Sequence, residues 1–197
     1  MVVAIEPSMA MIRQRPAGSG VALRGLAGDL PFAAGSFDGA MALLTVHHWP
    51  DPIAGLTELR RVTRGPIVVL TFDKEVHDEQ WLVTDYLPSM ADLDVRHPSA
   101  ATIADALGGG VVEVVPIPHD CLDGFCHAWW RRPEAYLDRR VRAGISGIAR
   151  LPSELVDRAM VTLADDLASG AWHHAHHDLL AQDEIDAGYR IVVADHR

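Results

Sequence analysis

Short apolar runs alternate with amphipathic segments along most of the chain. The apolar runs are rich in β-branched residues, as in strands buried on both faces, and they cover residues 2–5, 21–26, 37–44, 67–72, 111–117 and 191–194. Helical patterns lie between them, at residues 8–13, 52–62 and 99–107. Strands that alternate with helices predict an α/β fold with a mostly parallel sheet.

The segment 52–62 is the clearest predicted helix. Asp51 can cap its first turn, and Pro52 occupies the first helical position, where its missing N–H costs nothing. Apolar residues recur on one side of the segment: Ile53, Leu56, Leu59 and Val62. Gly65 and Pro66 then predict its end.

Residues 121–182 interrupt the alternation of strands and helices. They contain helical patterns, such as 154–167, and the tryptophans Trp129, Trp130 and Trp172. The aromatic stretch 125–130 is consistent with the lining of an acceptor pocket or with ordinary packing. We therefore predict a core made of residues 1–120 and 183–197, with residues 121–182 as a helical insertion or cap before the last strand.

Composition excludes several classes of protein. The 197 residues are 49% hydrophobic and 22% charged, as in an ordinary globular protein. A formal net charge of -10 repels phosphate backbones and argues against a nucleic-acid partner. The two cysteines make no disulfide framework, and no apolar run approaches the roughly 18 residues of a membrane span. We expect a cytoplasmic protein without a membrane partner.

Two carboxylates follow the first two predicted strands. Glu6 ends the first apolar run, and Asp29 follows the second. Ligands of open α/β sheets bind beyond the carboxyl ends of the strands. One carboxylate there can accept hydrogen bonds from the two hydroxyls of a ribose, and the other from an adenine amine. The pair suits an adenosine ligand, and the alternative is that the two carboxylates only cap helices or solvate turns, as acidic residues after strands often do.

Four sequence blocks resemble class I S-adenosylmethionine-dependent methyltransferases of type 11. They are VAIEPS at 3–8, GDLPF with SFD between 28 and 38, LTVHHW at 44–49, and LTELRRV with Gly-Pro between 56 and 66. They occur in the family's order and at its spacing. The resemblance implies a Rossmann-like methyltransferase sheet, here of six strands with one reversed near the C-terminus, and S-adenosylmethionine as the cofactor.

The resemblance also implies roles for single residues. Glu6 would hold the ribose, and Ser8 and Met9 would lie against the adenine. Asp29, with the backbone of Leu30, would read the adenine edge. One further residue, Thr45, would lie near the methionine part of the cofactor.

The glycine-rich loop that follows the family's first strand has no counterpart in the chain. Gly18 to Gly20 and Gly108 to Gly110 each follow a predicted helix rather than a strand. We therefore expect an N-terminally truncated sheet that lacks the family's first strand. The expected consequence is weak binding of the cofactor, and possession of enzyme activity stays open.

Histidines offer two further candidates. His48 follows the third predicted strand and could act as a general base if the methyl acceptor is a hydroxyl or a nitrogen. On a helix, His173 would share a face with His176 and His177, which suits a metal site, but no nearby cysteine or HExxH pattern supports one. We predict no metal site and interpret this cluster as an exposed helix end.

The leading hypothesis is a methyltransferase that acts on a small molecule. One alternative is a non-catalytic remnant or binding protein of the same fold, which the missing glycine-rich loop favours. Another is a nicotinamide-dependent oxidoreductase, because an acidic residue after the second strand of such enzymes also binds ribose. The Leu30 to Phe32 block argues against this last alternative.

Overall fold

The structure is a computed structural model that describes residues 1–93 and 97–195. The chain divides into two compact units. Unit 1 comprises Met1–Phe72, Arg96–Glu113 and Arg190–Arg197, and unit 2 comprises Asp73–Val95 and Val114–Tyr189. The predicted boundaries of core and insertion stay a prediction.

Unit 1 begins with a βαβ segment. Strand β1 (Val3–Glu6) pairs in parallel with β2 (Val21–Arg24), so that Glu6 lies opposite Arg24. The helix between them is α1 (Met9–Gln14), and none of its residues is buried. The parallel pairing of the first two strands agrees with the mostly parallel sheet that the sequence predicts.

A four-stranded sheet lies mostly in unit 1. Its strands are β3 (Ala40–Leu43), β4 (Ile67–Phe72), β5 (Val111–Val114) and β8 (Tyr189–Ala194), in the order β3-β4-β8-β5. Strands β3 and β4 are parallel, with Ala40 opposite Ile67. The predicted α/β fold with a mostly parallel sheet is confirmed.

The prediction of one continuous six-stranded sheet is wrong. Within the described residues, β1 and β2 form a two-stranded sheet of their own, and no strand joins it to β3. The predicted strand 111–117 also divides, because β5 ends at Val114 before Pro116, and a proline cannot donate to the ladder.

Helix α2 (Pro52–Val62) forms as its sequence predicts. Oδ1 of Asp51 accepts a hydrogen bond from the N–H of Ala54 at 3.0 Å. Leu56 and Val62 are fully buried. Leu56 joins the core of unit 1. Helix α4 (Ala100–Ala106), which Ser99 caps, and the four-stranded sheet also contribute to this core. Its buried members include Val46, Ile67, Val69, Ile103, Leu107 and Val192.

Unit 2 is mainly helical. Its helices are α3 (Lys74–Asp78), α5 (Arg139–Ala143), α6 (Ser146–Ala149), α7 (Ser153–Ser169), α8 (Ala171–Ala175) and α9 (His177–Leu180). Short 3-10 or π turns occupy Leu82–Tyr86, Pro88–Met90 and Pro133–Leu137. The small strands β6 (Ile117–Pro118) and β7 (Glu184–Ile185) pair antiparallel.

Aromatic side chains fill the interior of unit 2. Trp130 and Trp172 are each 1% exposed, and Tyr136 is fully buried. The indole N–H of Trp130 donates to the carbonyl of Ile117 at 3.0 Å. The structure therefore supports a packing role for Trp130 rather than a role in lining a pocket. No helix in the described part of the chain is both long and apolar enough to cross a membrane.

Candidate functional site

Glu6 is the last residue of β1, where the first carboxylate was predicted. Its Oε1 accepts a hydrogen bond from the N–H of Ser8 at 2.8 Å. The Ser8 hydroxyl in turn caps α1 by accepting from the N–H of Met11 at 3.3 Å. These two contacts fix the chain between strand and helix, with Met9 partly exposed in the first helical turn.

Asp29 lies farther from its strand than predicted. Strand β2 ends at Arg24, and the chain then makes a turn in which the N–H of Asp29 donates to the carbonyl of Leu26 at 3.2 Å. The turn contains Gly25 and Gly28, which end the extended run early. The predicted strand end at residue 26 is corrected, whereas the adenine role of Asp29 stays a prediction.

Glu58 and Arg61 of α2 clamp the loop that contains Leu30. The Leu30 N–H donates to Oε2 of Glu58 at 2.8 Å. The Arg61 guanidinium donates to both oxygens of Glu58, at 2.6 and 2.7 Å, and to the carbonyls of Leu30 and Phe32, at 3.0 and 2.7 Å. Both side chains belong to the LTELRRV block, and the structure shows that they anchor the loop.

The clamp changes the electrostatics of the loop. Hydrogen bonds from Arg61 lower the pKa of Glu58 to about 2, against the opposing effect of burial, and the Leu30 N–H adds to the lowering. Glu58 therefore stays ionised. Since both backbone polar groups of Leu30 already have partners, an adenine could reach its N–H only by sharing or replacing the contact with Glu58.

The second part of the candidate site lies at the carboxyl end of β3. Leu44 follows the strand in a left-handed conformation, with φ of 47°, which is unusual for a residue with a side chain. It leads into Thr45 and the 3-10 turn Val46–His48. Thr45 is half-buried, and its side chain makes no capping hydrogen bond. Strained backbone is often found at functional sites.

Histidines gather at this edge of unit 1. The rings of His47 and the exposed His48 lie 3.9 Å apart, and His97 lies 5.8 Å from His47. Nε2 of His97 contacts Oγ1 of Thr71 at 2.9 Å and the carbonyl of Phe72 at 3.0 Å. His48 was predicted here. His97 was not, because only the fold brings it to the end of β4.

Burial is uneven across the candidate site. Leu30 is the first buried residue of the chain, so residues 1–29, which include Glu6, Ser8 and Met9, contribute none to the core. Thr45 and His48, by contrast, adjoin Val46, which is 1% exposed. The histidine edge therefore rests on a packed core, whereas the predicted ribose-binding segment rests mainly on its pairing with β2.

Two titratable groups of unit 2 are poorly suited to proton transfer. Burial raises the pKa of Cys126 to about 12, and the nearby Asp78 adds to this effect. Burial and the adjacent His77 lower the pKa of His127 well below its usual value. The thiol stays protonated and the imidazole neutral at neutral pH, so neither resembles the tuned base of an active site.

Comparisons with known proteins identify the family. The family profile described as a methyltransferase domain matches residues 1–66. A solved structure from Anabaena variabilis ATCC 29413, assigned as a methyltransferase from an antibiotic biosynthesis pathway, is 33% identical to this chain. That match covers 98% of this chain and 80% of the other, with a TM-score of 0.91. The chain belongs to the class I S-adenosylmethionine-dependent methyltransferases.

Two more distant solved structures share the fold of this chain. A methyltransferase from Thermotoga maritima is 15% identical, with a TM-score of 0.52, over 99% of this chain and 72% of the other. A protein from Galdieria sulphuraria assigned as a sarcosine dimethylglycine methyltransferase is 12% identical, with a TM-score of 0.55, over 98% and 69%. No curated protein sequence matches this one significantly.

Proposed function

We propose that unit 1 binds the adenosine part of S-adenosylmethionine through Glu6 and Asp29. The observation that carries the proposal is the placement of Glu6 at the end of β1, with one carboxylate oxygen fixed by the N–H of Ser8. A carboxylate held in this way is preorganised to accept hydrogen bonds from the hydroxyls of a ribose. Ser8 and Met9 would border the adenine, and Thr45 would face the methionine part.

The clamped loop supports the position of the second carboxylate. Arg61 and Glu58 hold Leu30 and Phe32 by their backbones, so the adjacent Asp29 is attached to a loop with little freedom. Such support reduces the ordering that a ligand must impose on binding. In this arrangement Leu30 borders the adenine through its fixed backbone.

We infer that His48 is the general base of the reaction. When bound, the cofactor supplies an electrophilic methyl group. The exposed His48 ring can take a proton from a hydroxyl or amine acceptor, and His47 packs against it at 3.9 Å and restricts its orientation. Removing that proton raises the nucleophilicity of the acceptor atom.

We propose a small molecule as the methyl acceptor. The net charge of -10 disfavours nucleic acid. The similar protein from Anabaena variabilis is assigned to an antibiotic biosynthesis pathway, and such pathways modify small molecules. Cytoplasmic location fits this chemistry and stays a proposal.

The proposed adenosine site can be tested with ligands of different length. Ligand-observed NMR would compare adenosine with S-adenosylhomocysteine on the chain 1–197. We expect both to bind weakly and with similar affinity, because no strand among the residues that the structure describes leads into a glycine-rich loop for the methionine arm. Glu6→Gln should weaken both, whereas the matched control Glu113→Gln, at an exposed position of β5, should weaken neither. Equal binding of these ligands by the wild type and by Glu6→Gln would overturn the assignment.

A non-catalytic protein of the same fold is the second candidate. It is favoured by the separate β1–β2 sheet and by the absence of buried residues in 1–29. If two or three polar groups of the cofactor stay unpaired, at about 1–3 kcal/mol each, binding weakens by about one to six orders of magnitude. Calorimetry on a chain extended before Met1 by a strand and a Gly-x-Gly-x-Gly turn separates the candidates. Restored binding with methyl transfer supports the enzyme, and binding without transfer supports the second candidate.

A further inference from the structure

Unit 2 contains a cluster of metal-ligating side chains, two buried and one half-buried, that the proposed reaction does not use. It consists of His77, Cys126 and His127. One nitrogen of each imidazole and the sulfur of the cysteine all lie within 4.8 Å of one another. His77 belongs to α3, and the other two are consecutive residues of a turn, so the fold brings distant parts of the sequence together.

A buried atom without a partner points to a ligand at this cluster. Among the residues that the structure describes, Nε2 of His127 has no hydrogen-bond partner, although the residue is only 1% exposed. Buried polar atoms in native proteins are nearly always satisfied, by protein, water or an ion. The lone pair of a neutral imidazole nitrogen is a metal ligand.

We propose that His77, Cys126 and His127 bind a zinc ion that links α3 to the turn containing residues 126 and 127. Two imidazoles and one thiolate are a soft to borderline ligand set, which favours zinc over magnesium or calcium. With three protein ligands, water completes a tetrahedral site. On binding, the S–H bond of Cys126 breaks, a sulfur–zinc bond forms, and the proton passes to the solvent.

The distances suit zinc after a modest adjustment. Zinc lies about 2.0–2.1 Å from nitrogen and about 2.3 Å from sulfur, so its tetrahedral ligand atoms are roughly 3.3–3.6 Å apart. Ligand atoms within 4.8 Å of one another need to approach by at most about 1.2–1.5 Å. Rotation of the side chains within their rotamer wells can supply such a shift.

Neighbouring charges complete the arrangement expected around a zinc ligand. Oδ1 of Asp78 lies 3.2 Å from Nδ1 of His77, and Lys74 pairs with Oδ2 of the same carboxylate. A carboxylate that holds one nitrogen of a histidine orients the ring and directs the other nitrogen to the metal. The rings of His77 and His127 are already in contact, with centroids 4.2 Å apart.

Cobalt(II) titration of the full chain provides the first test, because thiolate ligation of cobalt produces a charge-transfer absorption band. Cys121→Ala is the matched control, since it removes the other cysteine. A second control, His173→Ala with His177→Ala, removes the surface histidines. We expect one ion per chain and a thiolate band in the wild type and both controls, and none in Cys126→Ala. A wild type without the band, or a band lost in Cys121→Ala, would overturn the proposal.

Zinc affinity and stability provide a second readout. Competition with a chelator should show that Cys126→Ala loses more than about 100-fold in affinity, beyond the effect of removing an outer-shell partner. Zinc should raise the melting temperature of the wild type and of Cys121→Ala. If Cys126→Ala does not fold, X-ray absorption spectroscopy of the zinc-loaded Cys121→Ala protein identifies the atoms bound to zinc and tests the proposal. One sulfur ligand supports the site, and a shell of nitrogen and oxygen alone refutes it.

Discussion

The clamp of Glu58 on the Leu30 loop gives a quantitative prediction about stability. Glu58→Gln keeps the size of the side chain but removes the charge that faces Arg61. The carboxylate accepts three hydrogen bonds, one from the Leu30 N–H and two from the Arg61 guanidinium. Its side chain is 18% exposed and that of Arg61 is 37% exposed, so solvent screens the pair in part. We expect a loss of about 1–2 kcal/mol in the free energy of unfolding.

The pH dependence of this loss follows from the pKa of Glu58. The folded-state pKa is lowered to about 2 from the ordinary value of 4.5. The carboxylate therefore stabilises the fold fully above about pH 4.5, and the contribution disappears as the pH falls towards 2. The difference between wild type and Glu58→Gln should be largest near neutral pH and should shrink in acid.

Urea denaturation at several pH values, followed by circular dichroism, measures this difference. Glu113→Gln is the control, because Glu113 is exposed on β5 and has no part in the clamp. The control should match the wild type within about 0.5 kcal/mol, as is usual for surface substitutions. The reasoning fails if Glu58→Gln is as stable as the control at neutral pH, or if its deficit persists unchanged in acid.

Three further predictions concern single residues. Trp130→Ala should lower the free energy of unfolding by about 3–5 kcal/mol, because a fully buried indole is lost from the core of unit 2, and chemical denaturation checks this. Asp51→Ala should cost about 1 kcal/mol through loss of the cap of α2, whereas Asp51→Asn should cost less in the same assay. His48→Asn in the N-terminally extended chain should lower kcat with little change in cofactor affinity; equal kcat values would exclude His48 as the base.

Local sequence signals predicted much of the fold. The apolar β-branched runs predicted the positions of the six strands in the β1–β2 sheet and the four-stranded sheet. Asp51 and Pro52 predicted the start of α2. These signals succeed because a strand, a cap or a helix start depends on neighbours in the sequence. The division into two sheets was not visible in them, since it depends on pairing between distant strands.

The candidate site was predictable only in part. Glu6 lies at the end of its strand as expected, but the turn at Gly25 to Gly28 separates Asp29 from β2. Glu58 and Arg61 belong to a recognisable sequence motif. Their function, which is to hold the backbone of Leu30, is visible only in the three-dimensional structure. The cluster of His77 and Cys126 was not predicted, because the two residues are far apart in sequence and only the fold brings them together.

The central claim is an adenosine site at Glu6 and Asp29, and one binding comparison tests it most directly. Ligand-observed NMR with adenosine, on the chain 1–197 and on its Glu6→Gln variant, avoids any dependence on the methionine arm of the cofactor. The account predicts measurable binding to the unmodified chain, reduced by about tenfold or more in the variant, as expected for a charged hydrogen bond of about 1.5–3 kcal/mol. Equal adenosine binding by the two proteins, or none by either, would contradict it.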